Sequence, residues 1–306
     1  MSEPVTPLSP PPPPSSGVGS AARIIDQGYR RYDGPRGGSA AAMRAVTKAT
    51  MQRSFGLKRS ARFKVVPLVT AVLSYLPAVV FIGMAALLPA DWFDQLNFGY
   101  SEYYGFVTAA IVLFVSFVAP EVLCTDRRSG MLGLYLSGPL DRLRYLAAKA
   151  AAIGSVLATV TLGPTLLLLV GLTLADDGPN GVVELLQTLV RIVASAAVVT
   201  VWYTSLSMAV ASLTDRRAFA SAAIILTVLI STSITSALAS SGLPAALKLA
   251  DLFELPFELV RRVYGERSTG SIGELSTTIM ANAALGYVTI FTAVVLWRYR
   301  SLQVTR

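Results

Sequence analysis

Few residues in this sequence can do chemistry, and their types exclude most catalysis. There is no histidine, so the commonest general base and the commonest metal ligand are both missing. The single cysteine, Cys124, cannot alone build a disulfide framework, a zinc cluster or an iron–sulfur site, and no role is assigned to it. No G-x-x-x-x-G-K-[ST] motif occurs, so the chain is not expected to bind ATP through a P-loop. No serine or lysine stands in a recognisable hydrolase setting. What remains is one run of charges among apolar residues, 117–149, reading FVAPEVLCTDRRSGMLGLYLSGPLDRLRYLAAK. Glu121 is its first charge. A carboxylate at the edge of an apolar segment is costly unless it is paired or lies in headgroup water. Lys149 and the upstream basic residues Arg59 and Arg62 are its candidate partners.

The elements around these charges can be read from the same stretch. An apolar segment ends at Pro120-Glu121, and a polar turn follows at Thr125-Asp126-Arg127-Arg128. Asp126 suits the N-cap of a short helix running through Ser137, with Met131, Leu132, Leu134, Tyr135 and Leu136 apolar. Gly138-Pro139 stops it, and Asp141 starts the next helix. A short apolar helix must bury its apolar side against the membrane interface, the chain's own helices or a partner protein.

Composition supplies the larger frame. Of 306 residues, 53% are hydrophobic and 14% charged, well below the ~25% charge of an ordinary soluble chain. Six apolar runs approach the roughly 20 residues a membrane span needs: 65–88, 106–123, 150–174, 192–213, 218–239 and 279–297. The connections 89–105 and 175–188 hold no Lys or Arg, whereas 124–149, the turn with Arg216 and Arg217, and the C-terminal tail are basic. By the positive-inside rule both termini face the cytoplasm. The net charge of +8 follows this topology, so nucleic acid is not an expected partner. The connection 240–278 fits the rule least, since it carries Lys248, Arg261, Arg262 and Arg267. Its segment Leu243–Gly265 is apolar yet too charged to span, with a break expected at Pro256. It should lie in the outer interface or cap a dimer.

Ahead of the first span, residues 1–22 form a proline-rich leader with Pro10 to Pro14 consecutive, expected to be disordered. Residues 23–64 are strongly basic, and 40–64 reads as a basic amphipathic helix lying in the interface. No apolar run precedes residue 65, so no cleavable secretory signal is expected. Trp92, Phe93, Phe98, Tyr100, Tyr103, Tyr104, Trp297 and Tyr299 suit interfacial belts. Small residues recur every four positions in the third span (Ala147, Ala151, Ser155, Thr159, Gly163) and in the fifth (Ala223, Thr227, Ser231, Thr235, Ala239). Such stripes permit close helix packing. The hydroxyls of Thr227, Ser231 and Thr235 could alternatively line a translocation path or a dimer seam.

The order of residues in 117–149 resembles the cytoplasmic segment of ABC type-2 transporter permeases. The matching residues are Glu121, Asp126, Arg127, Gly130, Leu132, Leu134, Leu136, Pro139, Leu140 and Lys149. The likeness extends over roughly residues 40–300, with six spans and a basic helix ahead of the first. Met131 departs from the family's frequent Thr, and the proline-rich leader is not part of the pattern. The resemblance implies an all-α membrane protein that is the permease subunit of an ATP-driven exporter in the inner or plasma membrane. It implies a second permease chain, in a homo- or heterodimer. It also implies two copies of a separate ATPase subunit, which would hold the ATP and magnesium; this chain would hold no cofactor. Asp126, Arg127, Gly130, Leu132, Leu134, Tyr135 and Leu136 would dock that ATPase. Glu121, Lys149, Arg59 and Arg62 would couple its movement to the spans. The alternatives are a secondary carrier or channel, which usually carries ionisable groups at mid-membrane, and a non-transport membrane scaffold.

Overall fold

A computed structural model of the chain describes residue 34 and residues 37–57, 64–89, 99–241 and 244–301. The leader, Arg59, Arg62, Trp92, Phe93 and Phe98 lie outside these. Contacts separate residues 1–36 from a unit spanning Gly37–Arg306, and the following concerns the latter.

The protein is an all-α membrane protein, with no strand among the described residues. Its helices are α1 (Ser39–Ser54), α2 (Val65–Leu87), α3 (Tyr100–Arg128), α4 (Met131–Leu136), α5 (Arg142–Leu174), α6 (Gly181–Ser212), α7 (Arg217–Ser240), α8 (Glu254–Tyr264) and α9 (Thr277–Ser301). Six of them, α2, α3, α5, α6, α7 and α9, are long and apolar enough to cross a membrane. All six coincide with the expected apolar runs, and most extend beyond them. The second is the clearest case. Its helix neither starts at Phe106 nor stops at Pro120-Glu121 but runs from Tyr100 through Arg128, with Pro120 inside it.

Helix α3 is the centre of the bundle. Of its apolar window 78% is buried, against 17–28% for α2, α6, α7 and α9, and it packs on α2, α5, α6, α7 and α8. Most of the α3 surface therefore needs an internal partner. Tyr103 and Tyr104, expected at an interfacial belt, are fully buried instead, and Tyr103 donates to the Ser74 carbonyl of α2 at 2.7 Å. Tyr299 is likewise buried; Trp297 is exposed, as a belt residue should be. The outer helices keep apolar faces unburied, such as Leu68, Val72, Leu76 and Val79 on α2, which lipid can cover without cost.

The small-residue stripe of α5 is not one packed face. Ala147, Ala151 and Thr159 are exposed, and the buried side is Ala148, Ala152, Ile153, Val156 and Val160. Only the end of the stripe meets α2: Tyr75 donates to the Thr159 carbonyl at 3.3 Å, and a β-carbon at Gly163 would collide with the Tyr75 hydroxyl. The stripe of α7 has a definite task. Ser231 accepts from the Leu252 N–H at 3.2 Å, and Thr235 donates to Asp251 at 2.8 Å. Thr227 is half-buried and makes no such contact.

These bonds hold the segment between α7 and α9, which does not stay on the surface. It forms a 3₁₀ turn over Ala245–Ala250 and then α8, which packs against α6, α3 and α9. Trp202 of α6 donates to the Leu252 carbonyl at 3.1 Å. Between Trp202 and the end of α6 at Ser212 lie about 15 Å of helix rise, so the segment dips deep between the spans. Pro256 sits in the first turn of α8, where it lacks nothing a helix needs, and causes no break. The charges that argued against burial neutralise one another. Arg262 donates to Glu258 at 2.8 Å and Lys248 to Glu254 at 3.0 Å. Asp251 is fully buried and accepts from Thr232, Thr235 and the N–H groups of Phe253 and Glu254 at 2.8–3.1 Å. It thus caps α8 and ties it to α7.

Replacing Asp251 by Ala should leave those donors unsatisfied, at a cost of about 3 kcal/mol. Thermal unfolding in detergent should show a large loss for Asp251→Ala and a smaller one for Asp251→Asn. Equal stability of Asp251→Ala and wild type would show that the segment is held otherwise.

Candidate functional site

The ends of α3, α5, α7 and α9 that carry Arg127, Arg128, Arg142, Arg217 and Arg300 lie together at one end of the bundle, with α1 and α4. Most of the charged residues singled out in the sequence come together at this basic end.

At its centre is Asp126. Because α3 continues past Pro120, this residue is on the helix and 0% exposed, not the N-cap of α4. Lys149 of α5, 1% exposed, places its Nζ 2.6 Å from Asp126 Oδ2. The Tyr145 hydroxyl donates to the same oxygen at 3.1 Å. Arg53 of α1 donates to Oδ1 at 2.9 Å. Lys149 also donates to the Thr50 hydroxyl of α1 at 3.0 Å, and its ammonium lies 5.5 Å from the ring centroids of both Tyr135 and Tyr145. Helices α1 and α5 thus converge on one carboxylate of α3, and α4 joins them through Tyr135 against Lys149. The expected partner of Lys149 was Glu121; the structure gives it Asp126 instead. Arg59 and Arg62 lie outside the described residues, and the basic residue of the N-terminal segment that reaches the site is Arg53.

Helix α1 is held by packing as well as by charge. Val46 is buried with Leu140 and Ala148, and Met43, Ala42 and Tyr135 close around them. The Thr47 hydroxyl lies 3.2 Å from the Ala148 carbonyl. Its opposite face, with Arg44 and Lys48, is exposed. The helix stops at Ser54, short of the expected 64, and one side of it is buried against α5. Lodging against protein rather than lying free in headgroups is what its buried Thr50 requires.

The second set of charges joins α3 to the α6–α7 turn. The stretches Thr125–Arg128 and Thr214–Arg217, both reading TDRR, meet here. Arg127 pairs with Asp215 and donates to the Ser212 carbonyl at 2.6 Å. Arg217 pairs with the buried Glu121. Cys124 packs with its sulfur 3.3 Å from the Thr214 carbonyl. Glu121, Cys124, Thr125, Arg128, Asp215 and Arg217 border a hollow of about 450 Å³. Glu121 therefore does pair with a basic residue, but one on α7 that spacing alone could not single out.

Below this frame hangs α4. Gly130 precedes it with φ +69°, a left-handed conformation that a side chain would strain. This sharp reversal lets a helix of six residues follow a helix of twenty-nine. Leu132, Tyr135 and Leu136 are half-buried against the bundle, while Leu134 is 65% exposed, beside exposed Ser137, Gly138 and Pro139. Tyr135 stacks at a tilt on Tyr145, 5.6 Å between centroids. Burial and the nearby Asp126 charge raise the Tyr135 phenol above its usual pKa, against a smaller opposing effect of Arg53. It stays neutral at any physiological pH. Asp141 caps α5 as expected, accepting from the Arg144 N–H at 2.7 Å.

The proposed docking residues thus divide by exposure. Asp126 and Arg127 cannot face a partner and act as supports; Gly130 sets the reversal; Leu134 is the apolar side chain left outside. No group of three or more metal-binding side chains occurs among the described residues. No protein-family model and no curated protein matches the sequence.

Asp126→Asn should cost about 3–5 kcal/mol, since it strands a buried lysine. Asp126→Asn combined with Lys149→Met removes both partners and should be more stable than Asp126→Asn alone. Thermal unfolding of wild type, Asp126→Asn, Lys149→Met and the double variant in one detergent measures this; additive losses would contradict a paired site.

Proposed function

We propose that this chain is the membrane subunit of an ATP-driven exporter, and that α4 docks a separate ATPase. The single observation that carries this reading is the mounting of α4: an apolar side chain, Leu134, is presented beyond the bundle by a helix rooted on a buried ion-pair cluster. A helix that served only to cover the bundle would have no need of an outward leucine opposite its half-buried Leu132, Tyr135 and Leu136. A protruding leucine on a rigid base is suited to transmit force as well as to bind. The order of residues shared with ABC type-2 permeases supports the same reading, as does the missing P-loop, which leaves ATP and magnesium to the partner.

By the positive-inside rule the basic end faces the cytoplasm, where ATP is. The cations of the 240–278 connection oppose this less than their number suggests. Arg261 and Arg262 flank the buried Glu258, and Lys248 flanks Glu254 and Asp251. Movement of α4 would reach the spans through two joints. One is Asp126 with Lys149, which moves α3 with α5 and α1. The other is Glu121 with Arg217, which moves α3 with α7. Transport through a seam between two such chains would place α7 near the path, with Thr227 the stripe hydroxyl left for it, since Ser231 and Thr235 are engaged by the dipping segment.

A secondary carrier is the second reading, because Asp251 and Glu258 are buried carboxylates between spans. Both are saturated with donors, Glu258 by Arg262 and the Ser268 N–H. A carboxylate that binds and releases an ion needs a free oxygen; these are suited to structural service.

Leu134→Asp should abolish ATPase capture from native membranes and leave thermal stability within about 0.5 kcal/mol of wild type, as befits an exposed site. Tyr135→Asp should lower stability by contrast, because it intrudes on Lys149 and Tyr145. An ATPase still retained at wild-type level by Leu134→Asp would overturn the docking assignment. Glu121→Ala should assemble normally yet lose substrate-stimulated ATP hydrolysis; unchanged stimulation would make Glu121 a local anchor of α7 only.

A further inference from the structure

Between α5, α6 and α9, toward the basic end, an apolar groove of about 380 Å³ opens sideways from the bundle. That is the size range of ligand sites, about 300–1,000 Å³. Its walls include Ala147, Ala150 and Gly154 of α5, Val201 and Met208 of α6 and Val295 of α9. All three helices are membrane-crossing by length and composition. The absence of a side chain at Gly154 keeps the groove open toward α6, where a β-carbon would touch Thr200 and Thr204.

A charged mouth makes it more than a gap between helices. The groove continues into a hollow of about 340 Å³ at the basic end through the shared residues Leu143, Leu146 and Leu296. That hollow is bordered by Arg142 and Arg300. Arg142 spends one guanidinium nitrogen on the Tyr299 and Arg300 carbonyls, at 3.2 and 2.9 Å, which closes the end of α9. The Arg300 side chain makes no hydrogen bond or ion pair among the described residues and is exposed. Asp141 borders the same hollow, its Oδ1 accepting the Arg144 N–H as a helix cap. The exposed Trp297 next to them marks the headgroup level, where tryptophan side chains settle.

We propose that this site binds a phospholipid of the surrounding bilayer with a monoanionic headgroup. The phosphate would lie between Arg142 and Arg300. One acyl chain would fill the groove along Ala147, Ala150 and Val295. Charge complementarity at the mouth selects an anionic lipid over a hydrocarbon or a zwitterionic lipid. Bridging α5, α6 and α9, the lipid would fasten the bundle where α4 and α1 attach. This assignment does not depend on the exporter reading.

Native mass spectrometry of the solubilised full chain, titrated with phosphatidylglycerol and with phosphatidylcholine of the same chains, tests it. The tightest-binding lipid should be phosphatidylglycerol. Arg300→Gln should weaken it by about fivefold, the effect of one basic side chain near an anionic headgroup, without changing phosphatidylcholine binding. Ala150→Phe should fill the groove and lose the tight adduct of either lipid. A double change of the exposed Arg44 and Lys48 to Gln on α1 should leave that adduct intact. Equal first affinities for the two lipids in wild type, or unchanged phosphatidylglycerol affinity in Arg300→Gln, would overturn the site. So would a loss in the α1 variant equal to that in Arg300→Gln, which would reduce the effect to general surface charge.

Discussion

A carboxylate that cannot reach water must find its hydrogen bonds inside the protein, and Asp126 finds them on two other helices. Arg53 comes from α1, and Tyr145 and Lys149 come from α5. Desolvating an acid and a lysine together is expensive, and their attraction repays it only with good geometry and further hydrogen bonds. Here Thr50 satisfies Lys149 further, and two tyrosine rings shield it. The cluster is consequently intolerant of displacement. α1, α3, α5 and α4 keep one arrangement at the basic end, or they lose all of it together. That rigidity gives α4, too short to be stable in water alone, a fixed position from which to present Leu134.

The opposite half of the molecule solves the same problem with different groups. Asp251 and Glu258 are buried, but Asp251 is surrounded by donors from its own segment and from α7, and Glu258 by donors of its own segment. Polar groups away from water are tolerated between spans only when the protein satisfies them. Trp202, with Tyr287 and Phe291 at 5.7 and 6.1 Å, walls the dipping segment with aromatic surface. The central helix α3 touches both halves, so it links the platform at one end to the segment at the other.

Much of this was legible in the sequence. Apolar runs placed all six spans, and Asp141 announced the start of α5. The helix ends were less legible, because Tyr100–Tyr104 and Asp126–Arg128 look like interface and turn. They are helical because buried neighbours satisfy them, which no local window records. The acid was misjudged for a related reason. Glu121 and Asp126 are both plausible partners for Lys149 by spacing. The choice depends on α3 running on past Pro120, which carries Asp126 between α1 and α5 and turns Glu121 toward Arg217. The dipping segment was hidden by its charges, whose mutual pairing neutralises them. Positive-inside counting treated them as free cations.

The central claim is that α4 presents Leu134 to an ATPase from a rigid base, and one measurement addresses it directly. The chain's only cysteine, Cys124, is buried, so a thiol introduced by Leu134→Cys can be followed with a bulky maleimide. The rate of labelling should be high in the chain alone and should fall by at least about tenfold when the ATPase is bound. A rate unchanged by saturating ATPase would contradict the account, since the exposed side of α4 would then still face water in the complex.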